Sequence, residues 1–328
     1  MLSRVANNLY WLSRYLERAE NLARLVHVNH ANSIEAVANG HEDEIWQAVL
    51  YATNSEDAYS AAHDEAGGEL DVCSYMTFSG ANPDSLRQCI AQARENARMV
   101  RDQIPEEMWL ELNTIHLFIQ SGASETMWER QPDELYRRVI RFCMLYGGLI
   151  ESTTLHDEGW DFVQVGRYLE RADKTSRILD MLSFHQSQDR SQLISALRSC
   201  SGSAGFRSEF RGDVSLENVA SFLLFSPSFP RSVRFCLRQL DDVLHSISGM
   251  PSGSFSNEAE RITGSLLAQM NFSNAQSIWD TGLHLYIDNL QQEMNKIGQQ
   301  VFETYVLLPS EINDIPHTGT WQVQQQQQ

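Results

Sequence analysis

Lysine is almost missing from this chain. Only Lys174 and Lys296 occur among 328 residues, so arginine supplies nearly all of the positive charge. Guanidinium stays protonated and clamps carboxylates or phosphates through paired N–H bonds, which an ammonium does not. Cations are also outnumbered, 25 against 43 acids, for a net charge of −18, and that balance opposes the phosphate footprint of general nucleic-acid binding. Cysteine is scarce: the five residues are odd in number and show no CxxC spacing, so neither a disulfide framework nor a zinc site is expected. No apolar run reaches membrane length, and the opening MLSRVANNLYWLSRYLER carries charges at Arg4 and Arg14. The expectation is a reduced, cytoplasmic protein with no membrane segment. Walker-A, GxGxxG, GxSxG and Cys–His protease signatures are missing as well, so no cofactor, no metal and no catalytic residue is assigned.

What is present is helical periodicity, without convincing alternating strands, and 42% apolar residues to build a core. The fold class expected is all-α. Ser3 is placed to cap a helix to about Ala38, with Leu12, Tyr15, Leu16, Ala19, Leu22, Ala23 and Val26 as its apolar face. Another helix starts near Glu42. Pro83, Pro105, Pro132 and Pro230 are expected in first helical turns, and Ser215 as a cap for the run to Phe225. A helix from Asp157 to Leu182 follows the middle of the chain, and the last long helix is expected over about 275–306. Segments 199–212 and 248–257, rich in Gly and Ser, read as loops. The glutamine-rich end, 309–328, reads as a disordered tail.

RYLERA is spelled twice, at 14–19 and 167–172. The match extends along SRYLERAENLAR (13–24) and GRYLERADKTSR (166–177). A second pair, VCSYMTFSGANPDSLRQCI (72–90) and VASFLLFSPSFPRSVRFCL (219–237), aligns without gaps and keeps Pro83/Pro230, Ser85/Ser232, Arg87/Arg234 and Cys89/Cys236. Two blocks in the same order, at offsets of 153 and 147, indicate an internal duplication. The expected architecture is a helical bundle of two similar halves, 1–150 and 151–308.

On a helical wheel Arg14, Arg18 and Asn21 share a stripe, with Glu17 and Arg24 at its flank, opposite the apolar face. Arg167, Arg171, Lys174, Glu170 and Arg177 repeat it. Two explanations fit. In one, Glu17 pairs with Arg171 and Glu170 with Arg18 about a pseudo-two-fold axis, joining the halves. In the other, the arginines converge on a cavity and bind a phosphate or carboxylate, with Arg14 and Arg167 facing the ligand. Arg87, Arg94, Arg98 and Arg101 form a further stripe, of which only Arg87 has a counterpart in the second half. His27 and His30 have metal-compatible spacing but no acidic partner nearby in sequence, HEDEIW (41–46) lacks the second histidine of a zincin, and the acids of LHDEGWDF (155–162) suit a helix N-terminus.

With these blocks, together with ARENARMVRDQIPEEMW and DEGWDFVQVGRYLERAD, the chain resembles the bacterial alpha-E domain family up to about residue 306. That resemblance implies an all-helical domain with a Glu-Arg motif, here Glu17-Arg18 and Glu170-Arg171. It also implies the company of circularly permuted ATP-grasp ligase-like proteins, often near transglutaminase-like peptidases. The function it points to is a non-catalytic accessory or substrate-binding partner of an ATP-grasp-type amide or peptide ligase, holding an anionic small molecule or peptide carboxylate. The candidate residues are Arg14, Glu17, Arg18, Arg167, Glu170, Arg171, Arg94, Arg98 and Arg101. A stand-alone enzyme acting on a carboxylate or phosphate, and a purely structural scaffold, are the alternatives.

Overall fold

The computed structural model describes residues 1–37, 42–68, 70–184 and 189–307. Among them are sixteen α-helices and no strand. In the first part of the chain these are α1 (Ser3–Val37), α2 (Glu42–Thr53), α3 (Glu56–Glu65), α4 (Val72–Phe78), α5 (Leu86–Met99), α6 (Glu106–Ile119), α7 (Gly122–Arg130) and α8 (Pro132–Thr153). The remainder forms α9 (Glu158–Phe184), α10 (Arg190–Ser199), α11 (Ser203–Phe210), α12 (Leu216–Phe225), α13 (Val233–Ser248), α14 (Glu258–Phe272), α15 (Ala275–Thr281) and α16 (Leu283–Tyr305). No helix of the described residues is long and apolar enough to cross a membrane. The glutamine-rich end, 309–328, lies outside the described residues, as does His41 of HEDEIW.

Two long helices, α1 and α9, lie side by side at the centre. Their contacts advance together, Tyr10 with Gly166 and Arg14 with Glu170, so the two helices run in the same direction. Gly166 allows the approach: a Cβ there would fall far inside van der Waals distance of the Tyr10 carbonyl oxygen and 3.2 Å from the Ser13 Cβ. One core gathers the apolar face of α1 with α4, α5, α6 and α8, and includes Phe162 and Val163 from the start of α9. The other gathers α9 with α10 to α16, and includes Tyr10 and Leu25 from α1. Each central helix therefore contributes to both cores, and neither keeps a solvated face along its middle. The charged stripe of α1 is consequently not opposite the protein interior. Glu17, Arg18, Glu20 and Asn21 are all buried beside Leu16, Ala19 and Leu22.

Serine, rather than proline, opens the two helices that flank this pair. Ser85 accepts from the Gln88 amide at the head of α5, and Ser232 accepts from the Phe235 amide at the head of α13. Pro83 and Pro230 sit two residues earlier, in the preceding turns, and Pro105 stands just ahead of α6; of the four prolines only Pro132 occupies a first helical turn. Ser215 caps α12 as its spacing predicts, accepting from the Asn218 amide. The segment 199–212 contains helix α11 where a loop was expected. Gly202 and Gly205 let the Phe222 ring press against this segment, where an added Cβ would meet it at 3.0 and 3.1 Å, and Phe206 is buried beneath. The expected helix over 275–306 is interrupted at Gly282, whose φ of 91° only glycine adopts without strain. The five cysteines are buried and unpaired. Burial pushes the thiols of Cys73, Cys200 and Cys236 up to about 12, leaving them as small core residues.

Candidate functional site

The buried charges of α1 and α9 meet in one network. Glu17 receives a two-pronged bond from Arg171, Nε at 2.9 Å and Nη2 at 2.8 Å. Its mate in the repeat, Glu170, receives Arg18 Nε at 2.7 Å and Arg14 Nε at 2.6 Å. The reciprocal pairs expected from the sequence, Glu17 with Arg171 and Glu170 with Arg18, are thus both present. Arg14 is drawn into the network too, with its Nη1 donating to the Tyr10 hydroxyl at 2.7 Å, so it does not face open space as the pocket reading requires. Arg167 is not its mate across the axis: it donates to Glu151 of α8 at 2.7 Å and to Gln164 at 3.1 Å.

Two further residues, each one position before a capping serine, close the network from the sides. Arg231 donates to Glu17 at 2.8 Å and to Glu20 at 2.6 Å, while Asp84 accepts from Arg18. Asn21 donates to Glu17 at 3.2 Å, and at the matching place Lys174 lies 3.5 Å from Glu170 and 3.2 Å from Asp173. Arg24 with Glu20 and Arg177 with Asp173 complete the ends, both one helical turn apart. Asp84 and Arg231 are not conspicuous in the sequence because they are one of many differences between the two aligned blocks. The visible signal was an acid in one copy exactly opposed, in the aligned position, by a base in the other.

Burial by itself disfavours these charges, and the neighbouring guanidiniums outweigh it. Glu17 is brought down to about 2 by Arg171 and Arg231, and Asp173 to about 2 by Arg177 and Lys174. Glu170, fully buried, is held well below the carboxylate range by Arg18, Arg14 and Lys174. Arg18 and Arg171 are held above the ordinary guanidinium range by Asp84 with Glu170 and by Glu17, against the opposing effect of burial. Glu17, Glu170 and Asp173 are therefore carboxylates at neutral pH despite their burial. Seven cations (Arg14, Arg18, Arg24, Arg171, Lys174, Arg177, Arg231) meet five carboxylates (Glu17, Glu20, Asp84, Glu170, Asp173), which leaves a formal surplus of two positive charges.

Two small clefts border the network. One, of about 30 Å³, touches Arg18, Asp84 and Lys174; the other, of about 40 Å³, touches Glu17, Glu20, Arg167 and Arg171. Each has room for about one or two waters.

The family model that matches residues 1–306 is Alpha-E, described as a predicted alpha-helical domain with a conserved ER motif. The chain belongs to the Alpha-E family. Its Glu-Arg dipeptides, Glu17-Arg18 and Glu170-Arg171, are the residues that meet at the centre of the network. Among curated proteins, an uncharacterised protein of Mycobacterium bovis and uncharacterised proteins of two Mycobacterium tuberculosis strains are 24% identical to it over 313 residues. Those alignments cover 90% of this chain and 34% of each relative, so the chain spans about a third of their length. No solved structure gives a significant match.

The remaining candidate residues of this Alpha-E domain lie elsewhere. Arg94 and Arg101 set their guanidiniums against the Trp109 ring, at 5.2 and 5.0 Å from its centre, and Arg94 and Arg98 share Glu95. None of their contacts reaches Glu17 or Glu170, so the structure separates this stripe from the Glu-Arg pair. His27 does find an acid, Asp133 of α8 at 3.5 Å, which the sequence places over a hundred residues away. Partial burial still lowers the His27 pKa, and no cluster of three His, Cys, Asp or Glu suited to a metal occurs among the described residues.

Proposed function

We propose that the chain is a non-catalytic accessory module of an ATP-grasp-type amide or peptide ligase, with the Glu-Arg network as its frame and not as a substrate pocket. The observation that carries this reading is saturation. Every carboxylate of the motif is taken by at least two cations, and the clefts beside them hold little more than water. A buried charge set of this kind fixes geometry more than it adds stability, because desolvation offsets most of the attraction. An anionic group of a substrate, a peptide carboxylate or a phosphate, engages only the rim near Lys174 and Arg177, where the two surplus charges are least enclosed. The relatives' length supports a module that works beside other domains, since two thirds of each lies outside the match. The ligase partner itself rests on the association typical of the family.

The paired halves fit a duplicated unit. Helix α5 packs on α1 and α13 packs on α9, each behind a serine cap, and the Glu-Arg contacts are reciprocal at the repeat offset.

Co-purification with the ATP-grasp protein encoded beside it tests the partnership. The expected result is a stable complex, higher ligase turnover in the complex than in the ligase alone, and no ATP turnover by this chain by itself. Ligation by the isolated chain, or failure of the two proteins to associate, overturns it. Thermal denaturation with sulfate, glutamate and ATP tests the rim, where a shift abolished by Lys174→Ala is expected.

A further inference from the structure

A third cleft lies far along α1 from the Glu-Arg dipeptides, bordered by the end of α1 and by α2, α3, α4 and α7. It measures about 570 Å³, within the range of small-ligand sites. Its chemistry is the reverse of the central network's. Among the described residues three carboxylates line it, Glu42, Asp43 and Asp71, with His30 and no Lys or Arg. Three aromatic residues share the lining: Trp46, Tyr59 and Trp128.

The polar tips of two of these rings are already engaged. The Tyr59 hydroxyl donates to the Leu70 carbonyl at 2.8 Å, and Trp128 Nε1 donates to the Tyr136 hydroxyl at 3.1 Å. Those bonds hold the two rings in place on the wall of the cleft. Asp71 uses one oxygen to cap α4, accepting from the Ser74 amide at 2.8 Å. Asp43 and Asp71 both add to the upward shift that burial causes in the Tyr59 phenol. First-turn acids such as Glu42 and Asp43 favour a helix N-terminus without any ligand. A helix N-terminus does not account for the three aromatic side chains that share the wall with these acids.

We propose that this cleft binds an organic ammonium group, the aromatic faces supplying cation–π attraction and the carboxylates the counter-charge. The inference is independent of the ligase partnership, since it concerns a different face of the molecule and an oppositely charged ligand.

The test is isothermal titration of the full chain at 0.15 M salt with 1,4-diaminobutane and its neutral isostere 1,4-butanediol. Saturable one-to-one binding of the diamine is expected, with the diol at least tenfold weaker. The double variant D43N/D71N should weaken diamine binding by tenfold or more. Asparagine keeps the α4 cap, so folding is retained, and an unchanged circular dichroism melt verifies that. Asp102→Asn, an exposed acid beyond α5, should leave binding unaltered. Equal affinity for diol and diamine overturns the proposal. So does diamine binding at several sites that the double variant leaves unmoved, the mark of diffuse attraction to an acidic surface.

Discussion

Asp84 and Arg231 occupy the same place, one residue before the serine that caps a flanking helix, and carry opposite charges to opposite members of the Glu-Arg pair. Asp84 takes Arg18 and Arg231 takes Glu17. The two sites are not equally enclosed, since the Asp84 side chain is 35% exposed and that of Arg231 only 10%.

That difference sets the cost of losing each. Arg231→Met takes one of two cations from each of two buried carboxylates, leaving Glu17 with Arg171 and Glu20 with Arg24, and should cost about 2–3 kcal/mol. Asp84→Asn keeps a hydrogen-bond acceptor beside Arg18 at a partly solvated position and should cost about 1 kcal/mol or less. Urea denaturation of both variants measures the contrast, and equal losses would contradict it.

Glu170 is a hub and Arg18 one of its spokes. Arg18→Ala leaves Glu170 with Arg14 and Lys174, whereas Glu170→Gln removes the carboxylate that all three cations share. The glutamine variant should therefore be the less stable of the two, and the double mutant should fall short of the summed losses by about 1–3 kcal/mol. Strict additivity in a denaturation cycle would show that the two do not interact.

Acid should loosen the network. Glu17 lies at about 2 in the folded chain against an ordinary 4.5, and Asp173 at about 2 against 3.8, so both release protons more readily when folded. Their contribution is complete above about pH 5 and disappears as pH falls through the folded values near 2. For Glu17 alone the depression corresponds to about 3 kcal/mol. Urea midpoints should be level from pH 7 to 5 and fall steeply between 4.5 and 2. A Glu17→Gln variant should show a shallower fall.

Two glycines should respond in opposite senses to alanine. Gly166→Ala forces α1 from α9 and should cost about 2–3 kcal/mol or more. Gly148, in the exposed part of α8, has nothing within 4 Å of an added Cβ, so Gly148→Ala should stabilise by about 0.5–1 kcal/mol through helix propensity. Thermal melts of the two variants give the signs directly.

The helical class, the long helices α1, α8, α9 and α13, and the meeting of Glu17 with Arg171 and Glu170 with Arg18 were legible in the sequence, because a charged hexapeptide repeated on an apolar helix has few other uses. The partners of Arg14 and Arg167 were not legible, because a helical wheel gives the face of a residue but not which carboxylate it reaches. Helix α11 was hidden because its glycines suggest flexibility, whereas here they admit aromatic rings. The break at Gly282 was hidden by apolar periodicity that continues on either side of it. The amine cleft was invisible since its walls come from five elements, spread from His30 to Trp128.

The close approach at Gly166 has a mechanical consequence. Advancing α9 by one turn along α1, about 5.4 Å, would drive a residue bearing a Cβ under the Tyr10 carbonyl and unpair Glu17 and Glu170 together. The seam thus behaves as a keyed joint with no sliding freedom. Relative motion of the two sides is confined to hinging, and a partner that reshapes this molecule has to pry the helices apart.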